Sequence, residues 1–254
     1  MYKEIIENFS DIAIAKSSKY KKNKKSYLIS AIFAGSFIGL GVLLSSTIGG
    51  LLSESNNPFA RIIMGLSFSV ALISVVFSGT ELFTGNNFVM SIGRLNKKVE
   101  TSDLISVWIF SWIGNFLGAI LLSSLFVLTG LVDEGSVMEF FSKVALNKAN
   151  LAPLALFTRA IICNFIVCLA ILLANNTKND AAKIIIIILC LFAFVTTGFE
   201  HSVANMTAFS VAIFAKSIHS ITIIQAMKAL FIATLGNIVG GGLLMGLGVF
   251  AMKE

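Results

Sequence analysis

Two carboxylates stand in matching settings inside long apolar runs. Gly79-Thr80-Glu81-Leu82-Phe83-Thr84-Gly85-Asn86 interrupts one run, and Gly198-Phe199-Glu200-His201-Ser202-Val203-Ala204-Asn205 interrupts another. Both read Gly-x-Glu-x-x-x-x-Asn. An ionisable residue at bilayer depth is costly, so by default it marks a functional site. His201 follows the second carboxylate directly, and Thr84 offers a hydroxyl at a similar place in the first run. A neutral, hydrogen-bonded core histidine is the plain reading of His201. Its place at a helix break points instead to a pathway, because imidazole titrates near physiological pH and can pass a proton to a weak-acid anion.

The elements around these residues must carry interrupted backbone through lipid. An interruption frees N–H and C=O groups, which is tolerated only inside protein or beside a wet cavity. Gly79, Gly85 and Gly198 permit the turns. Asn86, Asn205, Asn115 and Asn237 carry amides that donate and accept, and so suit the freed groups. Glu81 and Glu200 are read first as structural, accepting from unpaired N–H groups of the opposite half-helix, and second as ligands for permeant ions. Half-helix N-termini aimed at the midplane leave partial positive charge there, which suits an anion. Leu82 and Phe194 flank the polar positions. They read as packing or lipid contacts, or as hydrophobic constrictions that gate by dewetting.

Composition sets the class. The chain has 254 residues, 56% hydrophobic and 13% charged, with a mean hydropathy of +0.90. That describes a multi-span membrane protein. The net charge of +6 does not indicate nucleic acid, because Lys3, Lys16, Lys19, Lys21, Lys22, Lys24 and Lys25 all precede the first apolar run. They form a cytoplasmic flank, and the run behind them is too long for a signal-peptide core. Cys163, Cys168 and Cys190 lie in apolar segments and read as small core residues, not as a disulfide or metal set.

Six spans are expected, near 28–52, 59–92, 104–130, 153–175, 183–210 and 223–251. The second and fifth contain the breaks. The linkers are short, the longest running from Leu131 to Leu151. Arg94, Lys97, Lys98, Lys178, Lys183 and Lys253 fall on the same side as the N-terminal lysines. Arg61, Lys143, Lys148, Arg159, Lys216 and Lys228 fall on the other, with His219 in an outer loop. The bias puts both termini in the cytoplasm. Lys148 and Arg159, at or just before span four, are either solvated flanks or cations that concentrate anions at a pore mouth.

A repeat organises the chain. Gly114-Asn115-Phe116-Leu117-Gly118 in span three matches Gly236-Asn237-Ile238-Val239-Gly240 in span six. Each half, about 28–130 and 153–252, therefore has three spans, and the second half enters from the opposite side. The fold class is an all-α membrane protein with an inverted 3+3 repeat, in one channel domain spanning 28–252. Gly35-x-x-x-Gly39, the two matched Gly-x-x-x-Gly pairs and Gly242-x-x-x-Gly246 allow close packing, and span six should be a tightly buried helix. Residues 1–27 form a cytoplasmic segment in which Ile5, Ile6, Phe9, Ile12, Ala13 and Lys16 fit an amphipathic helix. It acts as an interfacial anchor or as a flap over the inner mouth, where Lys16 joins the candidate pore residues.

Three other readings compete. A water or glycerol channel wants paired Asn-Pro-Ala, but the only prolines, Pro58 and Pro153, sit at neither break. An intramembrane protease wants a facing Ser/His pair, but Ser202 adjoins His201. A proton-coupled carrier differs from a channel in energetics and stays open. No covalent step and no cofactor is required by any of these residues, so no enzyme is expected.

Gly198 to Met206 closely resembles the signature of the formate/nitrite transporter family. So do Glu81-Leu82-Phe83-Thr84, Cys163-Asn164-Phe165-Ile166-Val167-Cys168-Leu169-Ala170 and Gly236-Asn237-Ile238-Val239-Gly240-Gly241-Gly242-Leu243. The resemblance covers nearly the whole membrane region. It implies an aquaporin-like six-helix protomer, a homopentamer with one pore per protomer, and a bacterial cytoplasmic (inner) membrane. It implies passage of small monovalent weak-acid anions, with His201 and Thr84 at the pore centre and Leu82 and Phe194 as constrictions. Lys148 would then be the outer anion-attracting lysine, and Asn164 would lie near the pore wall. Overall similarity is greatest to the clostridial hydrosulfide branch, with formate or nitrite as alternatives.

Overall fold

The computed structural model describes residues 1–55, 57–215 and 221–253. Lys216 and His219, expected in the outer loop, lie outside the described residues. The described elements are helical throughout: α1 (Tyr2–Lys22), α2 (Lys24–Ser53), α3 (Ala60–Ser67), α4 (Val70–Ser78), α5 (Phe83–Leu95), α6 (Thr101–Leu128), α7 (Gly135–Ala149), α8 (Pro153–Asn175), α9 (Asp180–Thr197), α10 (Ser202–Phe214), α11 (Ile223–Ile238) and α12 (Gly248–Ala251). A π-helical segment, Val239–Leu247, joins the last two. Six stretches are long and apolar enough to cross a bilayer.

The breaks in spans two and five have the same construction. Gly79 at φ 64° closes α4, and Gly198 at φ 83° closes α9. Both lie in the left-handed region that a side chain would strain. The chain then turns extended at Leu82 and at His201, which are the N-caps of α5 and α10. Gly85 is not part of the turn: it lies within α5, where a Cβ would strike the Ile171 side chain. Span two also bends earlier, at Phe68 and Ser69 between α3 and α4.

Glycines let the spans approach backbone to backbone. A Cβ on Gly118 of α6 would strike the Ile32 carbonyl of α2, and one on Gly240 the Ile161 carbonyl of α8. Helix pairs α2/α6 and α8/α11 are thus mates under the repeat. Lipid tails are as apolar as leucine, so close packing of small residues is what holds such helices together. Span six is not buried on all sides, because Leu243, Leu244 and Leu247 face outward. Its glycine run relaxes into the wider π form where Gly241 meets Asn164 and Gly246 meets Ser91.

The first and seventh helices extend the repeat. The apolar face of α1 is buried in protein, with Ile6, Phe9 and Ala13 fully enclosed. The Phe9 and Phe88 rings meet edge to face at 4.8 Å. On the same surface the Asn96 amide holds the Glu7 carboxyl below its ordinary range. Asp103 accepts from Lys21 and raises that ammonium. The stretch expected to be a polar linker is largely helix α7, packed through Phe141 and Ala145. It precedes α8 as α1 precedes α2, so each repeat unit is one docked helix plus three spans.

Replacing Gly118 with valine should cost about 3 kcal/mol, the upper end for overpacking, because backbone cannot yield to the new Cβ. Thermal unfolding in detergent measures it. Wild-type melting of that variant would refute the close approach of α2 and α6.

Candidate functional site

Each break is tied down by one asparagine from the following span. Asn115 Oδ1 accepts from Phe83 N at 2.9 Å, while its Nδ2 donates to Ala31 O at 2.7 Å and Glu81 O at 3.0 Å. Asn237 repeats this, accepting from Ser202 N at 2.8 Å and donating to Ala160 O at 2.7 Å and Glu200 O at 3.1 Å. Both are fully buried. Each amide thus meets one N–H and one C=O freed by its break, together with a carbonyl of the neighbouring helix.

The carboxylates are engaged differently from the expectation. Neither accepts from the opposite half-helix, because lysines reach them first. Lys16 Nζ donates to Glu81 Oε2 at 2.7 Å, and Lys148 Nζ to Glu200 Oε2 at 2.8 Å. Asn86 and Asn205, five residues along, donate to the same carboxylates and not to backbone. Glu81 also receives Tyr27 Oη at 3.1 Å and Lys19 Nζ at 3.4 Å. A charge this buried stays in the membrane only when paired. Lys16 on α1 and Lys148 in the last turn of α7 therefore hold the breaks.

At the centre a side-chain hydrogen bond joins the two breaks. His201 Nε2 lies 3.0 Å from Thr84 Oγ1. The ring's other nitrogen, Nδ1, accepts from Ala204 N at 3.1 Å and caps α10. A backbone N–H can only donate, so Nδ1 carries no hydrogen and the neutral ring places its proton on Nε2. His201 therefore donates to Thr84, and the Thr84 hydroxyl keeps its own hydrogen for another acceptor. Asn164 is a strut, not a wall residue. Fully buried, it donates to Thr84 O, Asn87 Oδ1 and Asn237 O, and so ties the two halves together. The structure also separates His201 from Ser202. The Ser202 hydroxyl is buried without a hydrogen-bond partner among the described residues, so there is no nucleophile–base pair.

Two cavities approach this centre. The larger, 740 Å³, lies on the side away from the termini and reaches Phe194, Glu200, His201 and Lys148. The smaller, 380 Å³, lies under α1 and reaches Lys16, Glu81 and Leu82. They share no lining residue. Leu82 and Phe194, each 3% exposed, thus stand on opposite sides of the His201–Thr84 pair. The Phe194 ring lies over the imidazole with centroids 6.0 Å apart.

Sequence reading did not find Tyr27, Lys19 or Trp108, whose indole Nε1 donates to Asn86 O at 3.0 Å. A tyrosine or tryptophan in an apolar run carries no signal of its partner. Asn237→Ala should orphan the Ser202 N–H and the Glu200 C=O and destabilise the protein by at least about 2 kcal/mol, at ~1–3 kcal/mol for each. Asn115→Ala should do the same. A shift below about 1 kcal/mol in either, by thermal unfolding, would show that water reaches the break.

The formate/nitrite transporter family matches residues 3–251. The nitrite transporter NirC of Escherichia coli is 35% identical over 230 residues, covering 89% of this chain and 83% of NirC. A solved structure described as an FNT family ion channel superposes with a TM-score of 0.93 at 31% identity, over 99% of this chain and 100% of that one. A pentameric formate channel with formate bound superposes with a TM-score of 0.77 at 26% identity, over 92% and 98%. The inverted repeat, the paired breaks and these likenesses together establish that the chain belongs to the formate/nitrite transporter family.

Proposed function

We propose that the protein conducts small monovalent weak-acid anions through the seam between its halves. The observation that carries this is the His201–Thr84 hydrogen bond, placed between Leu82 and Phe194 and between two vestibules. The protein works as a homopentamer, like the formate channel it resembles. It sits in a bacterial inner membrane with α1 and the 380 Å³ vestibule toward the cytoplasm, where the N-terminal lysines belong. Nothing in this path needs a covalent step, so it is not an enzyme.

Bare transfer of an anion through an apolar gap costs many kcal/mol. The site lowers that cost in two ways. Thr84 and the N-terminal ends of α5 and α10 offer hydrogen-bond donors and partial positive charge in place of water. The imidazole supplies the second, with a condition set by its geometry. A neutral His201 cannot give up its single N–H proton. It must first gain one at Nδ1, which breaks the bond from Ala204 and sets a cation against the α10 dipole. An anion beside the ring supplies the opposing charge that the cation needs. The anion then leaves as its neutral acid across the second constriction.

Nitrite and formate appear in the names of related proteins. Hydrosulfide is the reading from overall sequence resemblance, and its small size suits the constrictions. Flux in proteoliposomes, comparing hydrosulfide, formate, nitrite and chloride, tests the class. Flux of the three weak-acid anions down their gradients, well above chloride, is expected. Flux of none of them would overturn the reading.

His201→Asn separates capping from proton exchange, because Asn is as good an N-cap and does not titrate. Its melting temperature should stay close to wild type, while the pH dependence of anion flux should flatten. An unchanged pH profile would leave His201 as a cap alone.

A further inference from the structure

The vestibule away from the termini carries cations besides Lys148. Arg61 at the start of α3, Lys143 on α7 and Arg159 on α8 line the 740 Å³ cavity. None pairs with a carboxylate among the described residues. Two are fixed to the break by their backbones. Arg159 O accepts from Glu200 N at 3.4 Å, and Arg61 O accepts from Thr196 Oγ1 at 3.4 Å. The three residues are exposed and line the same cavity as Phe194. Against these cations the lining sets Glu139, and Glu200, which Lys148 already engages. The vestibule under α1 is built otherwise: its charged lining residues, Lys16, Lys19 and Glu81, are all bound to one another.

We propose that this vestibule binds small divalent oxyanions of the sulfate class, which occlude it without permeating. This rests on the anion-conducting reading of the pore behind it. Two guanidinium forks and an ammonium match the several acceptor oxygens of a tetrahedral dianion, and charge-assisted bonds of this kind are the strong ones. The cavity is of the size that holds small ligands with their water. Passage is refused for an electrostatic reason. The cost of removing an ion's water rises with the square of its charge, and one proton from His201 leaves a dianion still charged. A dianion is thus drawn to the rim by the field that draws monovalent anions and stops there. The consequence is one-sided inhibition, competitive with the permeant anion.

The test uses the full-length protein reconstituted in one orientation in a planar bilayer, with formate as permeant and sulfate as probe. Gluconate at matched ionic strength controls for screening. Sulfate on the side away from the termini should reduce formate flux, sulfate on the other side should not, and radiolabelled sulfate should not cross. The Arg61→Gln, Lys143→Gln double variant should need about tenfold more sulfate for the same fractional block, which is ~1.4 kcal/mol of binding. Arg61→Lys should retain the block. Each variant is compared with its own sulfate-free flux, so a change in basal conductance does not enter. Calorimetric titration of the detergent-solubilised pentamer with sulfate reads the site without flux. Sulfate binding in a protein that conducts no monovalent anion would sink the channel reading and keep the site. Absence of both block and binding, equal block from both sides, or block untouched by the double variant would each overturn the site.

Discussion

A bilayer offers no water to an unpaired backbone group, and this chain breaks two of its spans at membrane depth. The rest of the architecture depends on how those breaks are satisfied. One asparagine per half does it, with an amide that receives the re-entering N–H and returns two donors. The asparagine must come from a third span lying against the first, which requires the glycine contacts of α2 with α6 and of α8 with α11. The close helix packing and the polar centre are therefore one structure. Loosening the first exposes the second.

Charge is handled by the same symmetry. Each break carries a glutamate, and each glutamate takes a lysine from a helix outside the spans. The pairing balances the membrane interior without placing a formal charge at His201 and Thr84. That leaves the centre with neutral donors and helix ends. Glu81 is bound more heavily than Glu200. Tyr27 and Lys19 have no counterpart in the second half among the contacts described.

Much of this was legible in the residues. The positive-φ glycines, the spacing of Glu to Asn and the recurring Gly-Asn-x-x-Gly each have a local meaning that needs no coordinates. Partner choice was not legible. Asn86 and Asn115 have the same amide, yet one serves a carboxylate and the other backbone, and only their positions relative to the break decide which. The family resemblance put Asn164 near the pore wall, and its protein acceptors Thr84 O, Asn87 Oδ1 and Asn237 O could not be read from the residue itself. The equivalence of α7 to α1 was hidden because their sequences share little beyond the one lysine that reaches a glutamate. The π-helical stretch was hidden as well, since a glycine run permits it without demanding it.

The two docked helices are joined to the protein differently. α7 is covalently continuous at both ends, with α6 before it and α8 after it, so it is held by chain connectivity as well as by contacts. α1 joins α2 through the single residue Asn23. Detaching Lys148 from Glu200 means deforming a closed loop between two spans. Detaching Lys16 from Glu81 means turning α1 about Asn23 and exposing the face that Phe9 now buries. The glutamate–lysine pair recurs in both halves, but the joints beside it differ: one residue links α1 to α2, while six and three residues flank α7.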